Sequence, residues 1–181
     1  MPAKKTRKAK ANKKKKEISV ARGLAIAMQT ELEGYEFYRM AASKCQDSGA
    51  KRMFESLAKD EVEHHRMLKE QHDNVINGGD FVPPRKPGRS RLRVKSPVFS
   101  KAFLESKKKK HFEMSALSVG VLLEQNSIEF YNKQAKQVKM PKAKKFFKEL
   151  AEWEGQHLRA LMAQKQFLQR EIFAAAHFEP F

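Results

Sequence analysis

The chain has 181 residues, 40% of them apolar and 33% charged, and a formal net charge of +17. That length suits one domain with a sizeable core, and the single cysteine excludes a disulfide within the chain and suits a reducing compartment. No apolar run approaches the ~20 residues of a membrane span, and no apolar stretch follows the charged N-terminal segment as in a secretory signal, so a cytoplasmic protein is expected.

Residues 1–16 carry Lys4, Lys5, Arg7, Lys8, Lys10, Lys13, Lys14, Lys15 and Lys16 and no acid. Such a block repels itself, and a disordered basic tail is expected. A first helix is predicted over residues 17–45, with Ile18, Ala21, Ala25, Met28, Leu32, Tyr35 and Tyr38 at helical spacing. Asp47, Ser48 and Gly49 read as a turn. A second helix follows over residues 50–76, stopped by Gly78 and Gly79. The short turn makes these two helices antiparallel neighbours.

Pro83, Pro84, Pro87, Gly88 and Pro97 then break the helical pattern, apart from a short helix over residues 98–106. Residues 79–111 are again basic, with eleven lysines and arginines against Asp80 and Glu105. The two basic segments carry the whole charge excess, and the remainder is near neutral. A third helix is predicted over residues 111–138. Pro141 suits the N-terminus of a fourth, which runs to Arg170. The last residues, with Phe173, Phe178 and Phe181, are expected to pack on the bundle or on a second subunit.

The organisation is therefore a tail over 1–16 and one domain over 17–181. That domain comprises a hairpin (17–77), a basic crossover (78–110), a second hairpin (111–170) and a C-terminal extension (171–181). The fold class is all-α, an antiparallel four-helix bundle of two duplicated hairpins with one long crossover and a short C-terminal helix.

The chemistry lies in a pattern written twice. Glu31 is followed 30 residues later by Glu61 and then by His64; Glu124 is followed 30 residues later by Glu154 and then by His157. Each member of the second set is the first plus 93. On a helix, residues three apart lie about 300° apart and share a face, so Glu61 with His64, and Glu154 with His157, can enter one bundle core. Four carboxylates and two imidazoles form the ligand set of a dinuclear carboxylate site, and such donors suit iron or manganese. Two ions there can share bridging carboxylates and keep open positions for oxygen or peroxide.

The repeat extends beyond the ligands. Glu36, Phe37 and Tyr38 match Glu129, Phe130 and Tyr131; Phe54, Leu57 and Ala58 match Phe147, Leu150 and Ala151. Ala42, Ala50, Lys51, Arg66 and Leu68 match Ala135, Ala143, Lys144, Arg159 and Leu161. A chance ligand pattern would not carry its packing positions along. Two copies of one hairpin are expected to enclose the site between them.

Residues 31–38 (ELEGYEFY) and 54–64 (FESLAKDEVEH) resemble the first half of a rubrerythrin-type, ferritin-like di-iron domain. Residues 123–131 (LEQNSIEFY) and 147–157 (FKELAEWEGQH) resemble the second half. The resemblance covers about residues 18–168. It implies a ferritin-like bundle with two iron ions, manganese being the alternative, and a dimer or larger assembly. By analogy Glu31 and His64 hold one metal, Glu124 and His157 the other, and Glu61 and Glu154 bridge them. Tyr38 and Tyr131, each seven residues after a ligand, would hydrogen-bond to the site.

Two departures stand out. A rubredoxin module needs four cysteines, and this chain has only Cys45. Some family members carry an extra glutamate where this chain has Ser127.

The expected activity is oxidation of Fe(II) by O₂ or hydrogen peroxide, with an electron donor the sequence does not name. The alternatives are a nucleic-acid-associated protein that sequesters iron with little turnover, a dimetal oxygenase acting on an organic or RNA substrate, and a manganese protein with catalase-like activity. The basic tail admits phosphate binding without a sequence code, binding to another polyanion or mineral surface, or a role in solubility. It lacks aromatic residues for stacking on bases.

Other residues read as ordinary. His65 and His72 have no counterpart in the second copy. Glu36 and Glu129 lie about 140° around the helix from a ligand and suit an ion pair or solvent. Cys45 reads as structural, and Met28, Met40, Met53, Met67, Met114 and Met162 as core filler.

Overall fold

The structure, a computed structural model, describes residues 3–79, 81–82, 97–106 and 110–175, with side chains from Val20 onward. Its helices are α1 (Ala3–Lys44), α2 (Ser48–Ile76), α3 (Lys101–Glu105), α4 (His111–Gln137) and α5 (Pro141–Ala175). α1 packs along α2 and α4 along α5, each pair across a three-residue turn, and α1 also touches α4. Two antiparallel hairpins thus form the expected four-helix bundle, with α3 as the short helix of the crossover. None of the described helices is long and apolar enough to cross a membrane.

The duplication is visible in the packing. Tyr38 stacks on Phe54 at 6.1 Å and 22°, and Tyr131 on Phe147 at 6.2 Å and 23°. Phe37 meets Tyr38 edge-on at 5.4 Å, as Phe130 meets Tyr131 at 5.5 Å. Two apolar clusters result, and all four long helices contribute to both. One contains Leu24, Leu68, Tyr131 and Phe147; the other contains Tyr38, Phe54, Leu117 and Leu161. Along each helix the clusters are separated by the repeat's glutamates and histidines. On α1, Leu24 and Ala27 precede Glu31 and Tyr38 follows it; on α5, Leu150 and Ala151 precede Glu154 and Leu161 follows His157. Each large side chain buried on either side contributes roughly 1.5–3 kcal/mol, so the polar layer is clamped between two apolar ones.

Several expectations need correction. α1 starts at Ala3, not at residue 17, so the backbone of the segment expected to be a disordered tail is helical. Lysine, arginine and alanine are good helix formers, and neither glycine nor proline occurs between Ala3 and Arg22. Propensity therefore outweighs the few tenths of a kcal/mol that each like-charged i,i+4 pair costs. The buried face of α1 carries Val20, Leu24, Ala27, Glu31 and Tyr38, while Ala25 and Leu32 are exposed. The inward face is thus the one that carries Glu31. Met53 and Met67 are buried as expected, but Met40 and Met162 are exposed.

No separate C-terminal helix occurs among the described residues, because α5 runs unbroken to Ala175. Phe173 is half-buried on it; Phe178 and Phe181 lie outside the described residues.

The turn residues also act differently from their reading. α2 begins at Ser48, and Asp47 is its N-cap, accepting from Gly49 N and Ala50 N, each at 2.8 Å. The other Asp47 oxygen accepts from Ser100 N at 2.9 Å and Ser100 Oγ at 2.6 Å, and Ser100 in turn caps α3. One buried carboxylate thus joins the start of α2 to the end of the crossover. Gly49 is needed for closeness: a Cβ there would fall 1.8 Å from the Val98 carbonyl oxygen. Gly78, at φ +74°, ends α2 in the left-handed region that suits glycine.

Asp47→Ala removes a cap and strands further donors. It is expected to lower stability by roughly 2–4 kcal/mol, read as a reduced urea midpoint at unchanged slope. A loss below about 1 kcal/mol would mean that the cap is not what anchors the crossover.

Candidate metal centre

All six repeat residues converge in one layer of the bundle. Glu31, Glu61, His64, Glu124, Glu154 and His157 are each at most 4% exposed. Their donor atoms form two groups, within each of which all lie within 4.8 Å of one another: Glu31, Glu61, His64 and Glu154, and Glu61, Glu124, Glu154 and His157. Glu61 and Glu154 belong to both. The two imidazoles lie side by side with ring centroids 5.5 Å apart.

The contacts fit cation ligands better than hydrogen-bonded pairs. His64 Nδ1 lies 3.0 Å from Glu154 Oε1, 3.2 Å from Glu31 Oε2 and 3.7 Å from Glu61 Oε2. His157 Nδ1 lies 3.1 Å from Glu154 Oε2 and 3.6 Å from oxygens of both Glu61 and Glu124. Yet both Glu154 oxygens and His157 Nδ1 are buried without a hydrogen-bond partner. An orphaned buried polar atom costs about 1–3 kcal/mol, and charged ones cost more. A divalent cation in each group would satisfy them together, and the mixed carboxylate–imidazole donors suit iron or manganese. The residues therefore fit a metal pair.

The tyrosines cross between hairpins. Tyr38 on α1 donates to Glu124 on α4 at 2.5 Å, and Tyr131 on α4 donates to Glu31 on α1. Each phenol thus fixes a carboxylate of the other half. Burial and the adjoining carboxylates push both phenols well above their ordinary pKa, so they remain donors.

Proton affinities in the layer are strongly displaced. Burial, reinforced by Glu154 and Glu61, raises Glu31 well above the usual carboxylate range. Burial and Glu154 push Glu124 up to about 8. Burial works against the charge on Glu61 and Glu154 too. It is outweighed at Glu61 by the adjoining Glu31, His157 and His64 side chains, and at Glu154 by the nearby His64, so both lie below the usual range. Burial opposes a proton on either imidazole. The Glu154 carboxylate nonetheless raises His64, and the hydrogen bond with Asp60, with the carboxylates of Glu124, Glu154 and Glu61 close by, raises His157.

A family model described as Rubrerythrin matches residues 2–72 and 80–165. The chain belongs to the rubrerythrin family. Together with the buried carboxylate–histidine layer, membership points to a dimetal site. Among solved structures, a hypothetical protein from Pyrococcus furiosus is similar, with a TM-score of 0.63 and 22% identity over 83% of this chain and 90% of that one. That likeness shows the fold. No curated protein matches the chain.

In this rubrerythrin-family protein, Ser127 is buried. It borders a cavity of about 30 Å³ between α1 and α4, also lined by Thr30, Gly34, Tyr38, Glu61 and Glu124. That volume holds one molecule about the size of water. Glu36 pairs with Arg39 at 2.7 Å, and Glu129 is exposed. His65 and His72 are half-buried, and His72 lies 3.6 Å from Asp73. Burial, Glu113 and Asp47 push the Cys45 thiol up to about 12, so it is a poor nucleophile. The nine basic side chains of residues 1–16 lie outside the described side chains.

Sequence reasoning missed two neighbours of the histidines. Asp60 Oδ2 lies 3.2 Å from His157 Nε2, and Trp153 stacks on His64 at 5.6 Å and 22°. Positions 60 and 153 are themselves 93 apart, so the repeat held the signal, although the residue types differ.

Proposed function

We propose that this chain is a di-iron carboxylate protein that oxidises Fe(II) with O₂ or hydrogen peroxide. The observation that carries this reading is the pair of four-donor groups sharing Glu61 and Glu154. When bound there, two iron ions supply adjacent one-electron centres, enough for a two-electron reduction of the oxidant.

The chain's own residues do the rest. Glu31 with His64, and Glu124 with His157, would hold one ion each, while Glu61 and Glu154 would serve both. Tyr131 and Tyr38 orient the two terminal carboxylates and keep their protons while doing so. The apolar clusters exclude bulk water from above and below. The cavity of about 30 Å³ beside Glu61 and Glu124 is on the scale of a single very small molecule, which supports a small oxidant as the reactant.

The test is single-turnover oxidation. Full-length protein loaded anaerobically with Fe(II) is mixed with O₂ or hydrogen peroxide in a stopped-flow spectrometer. Oxidation at least ~10-fold faster than for free Fe(II), a barrier reduction of about 1.4 kcal/mol, is expected with at least one oxidant. The faster oxidant distinguishes a ferroxidase from a peroxidase. Rates equal to those of free iron with both would remove the proposal.

A further inference from the structure

The duplication places equivalent positions against the two histidines, but with different chemistry. Asp60, one residue before Glu61 on α2, reaches across to His157 on α5. Trp153, one residue before Glu154 on α5, reaches across to His64 on α2. A carboxylate only accepts, so His157 donates Nε2–H to Asp60 at 3.2 Å. In the neutral ring that a metal ligand requires, this fixes the tautomer that leaves the Nδ1 lone pair facing Glu154, where Nδ1 is buried without a hydrogen-bond partner. His64 receives an indole face instead. An indole has only a donor N–H and cannot accept from the imidazole. The carboxylate contacts of His64 all run through Nδ1, the atom that faces the site.

We propose that the two metal positions are unequal: Asp60 is a positioning residue that makes the Glu124–His157 position the tighter one, and Trp153 marks the weaker Glu31–His64 position. This rests on the dimetal reading and adds an order of filling to it. An outer partner that orients a metal-bound histidine is worth about 10–100-fold in metal affinity. The His157 position has such a partner in Asp60, while at the equivalent place the His64 ring has the Trp153 indole stacked on it.

The test uses full-length metal-free protein and Zn(II), a closed-shell ion without redox chemistry. Calorimetry gives the binding steps. Emission of Trp153, the only tryptophan in the chain, reports the His64 side. Two steps separated by at least ~10-fold are expected, with Trp153 emission changing on the second. Asp60→Asn is expected to weaken the first step ~10–100-fold and leave the second within about twofold, bringing the two together. Equal steps in the wild type, emission changing with the first ion, or an Asp60→Asn variant in which both steps move alike would each overturn the inference while leaving the dimetal site standing. Absence of any Zn(II) uptake would remove the site and the inference with it. The filling order is read in the wild type and needs no variant to fold.

Discussion

A chain carrying both His64→Ala and His157→Ala is expected to retain almost no iron after an anaerobic Fe(II) titration that saturates the wild type near two ions per chain. Each four-donor group contains a single imidazole, and the remaining donors are carboxylates, two of them shared. Loss of a partner that merely orients a histidine costs about 10–100-fold in affinity. Loss of the histidine itself should exceed ~100-fold at each position. The single variants divide the effect. His157→Ala should keep about one ion, held by Glu31, Glu61, His64 and Glu154. His64→Ala should keep the other.

The double variant also leaves four buried carboxylates without an imidazole beside them, which stresses the fold. A paired Glu31→Gln, Glu124→Gln variant guards against that. It preserves shape and removes one carboxylate charge per group, and it should bind iron at least ~10-fold more weakly while melting no earlier than the metal-free wild type. Metal analysis after desalting, with helicity by circular dichroism, reads both. Wild type that binds no more iron than the double variant would end the metal reading.

Much of this was legible in the sequence because the repeat constrains it twice. The six glutamates and histidines of the buried layer, the two tyrosines and their packing phenylalanines recur at a fixed offset, and a helical period fixes which of them share a face. Pairing across hairpins was less visible. Tyr38 serves Glu124 and Tyr131 serves Glu31, although each tyrosine is nearest in sequence to the other glutamate.

Asp60 and Trp153 escaped because comparison of the copies rewards identity, and here equivalence of place is combined with difference of chemistry. The α1 stripe was misplaced for a related reason. Apolar content marks a buried face only where the core is apolar, and α1 turns a glutamate inward. Leu32 sits one residue beyond Glu31, and it is exposed because Glu31 is buried. The start of α1 was missed because charge repulsion and helix propensity point in opposite directions, and their balance is not a matter of pattern. Asp47 looked like part of a turn because nothing local announces that Ser100, 53 residues on, completes its hydrogen bonds.

Removing the metal should make the protein's stability fall as pH rises, a direction opposite to ordinary acid denaturation. In the metal-free chain Glu31, Glu124, His64 and His157 all bind protons more tightly than when unfolded. A raised folded pKa contributes stability that is fully present below the unfolded value and is lost as pH climbs through the folded one. For Glu124 that window runs from the ordinary 4.5 to about 8. For the histidines it opens at the ordinary 6.5 and extends upward. Glu61 and Glu154 have lowered values, so their contribution is lost only as pH falls below the carboxylate range, and they do not offset the decline between pH 6 and 9.

Metal binding needs deprotonated ligands and displaces these protons, so its affinity climbs over the same interval. Saturation at 100 times Kd adds about 2.7 kcal/mol, and each kcal/mol moves Tm by roughly 2–4 °C for a chain of this size. Thermal melts of chelator-treated and Mn(II)-loaded protein at pH 6, 7, 8 and 9 should therefore diverge. The metal-free Tm should decline steadily, the loaded Tm should stay nearly level above pH 7, and the gap should exceed ~5 °C by pH 8. Mn(II) keeps oxidation out of the comparison. A metal-free Tm that rises with pH, or one that chelation does not change, would mean that the buried carboxylate layer is stabilised by something other than bound metal ions.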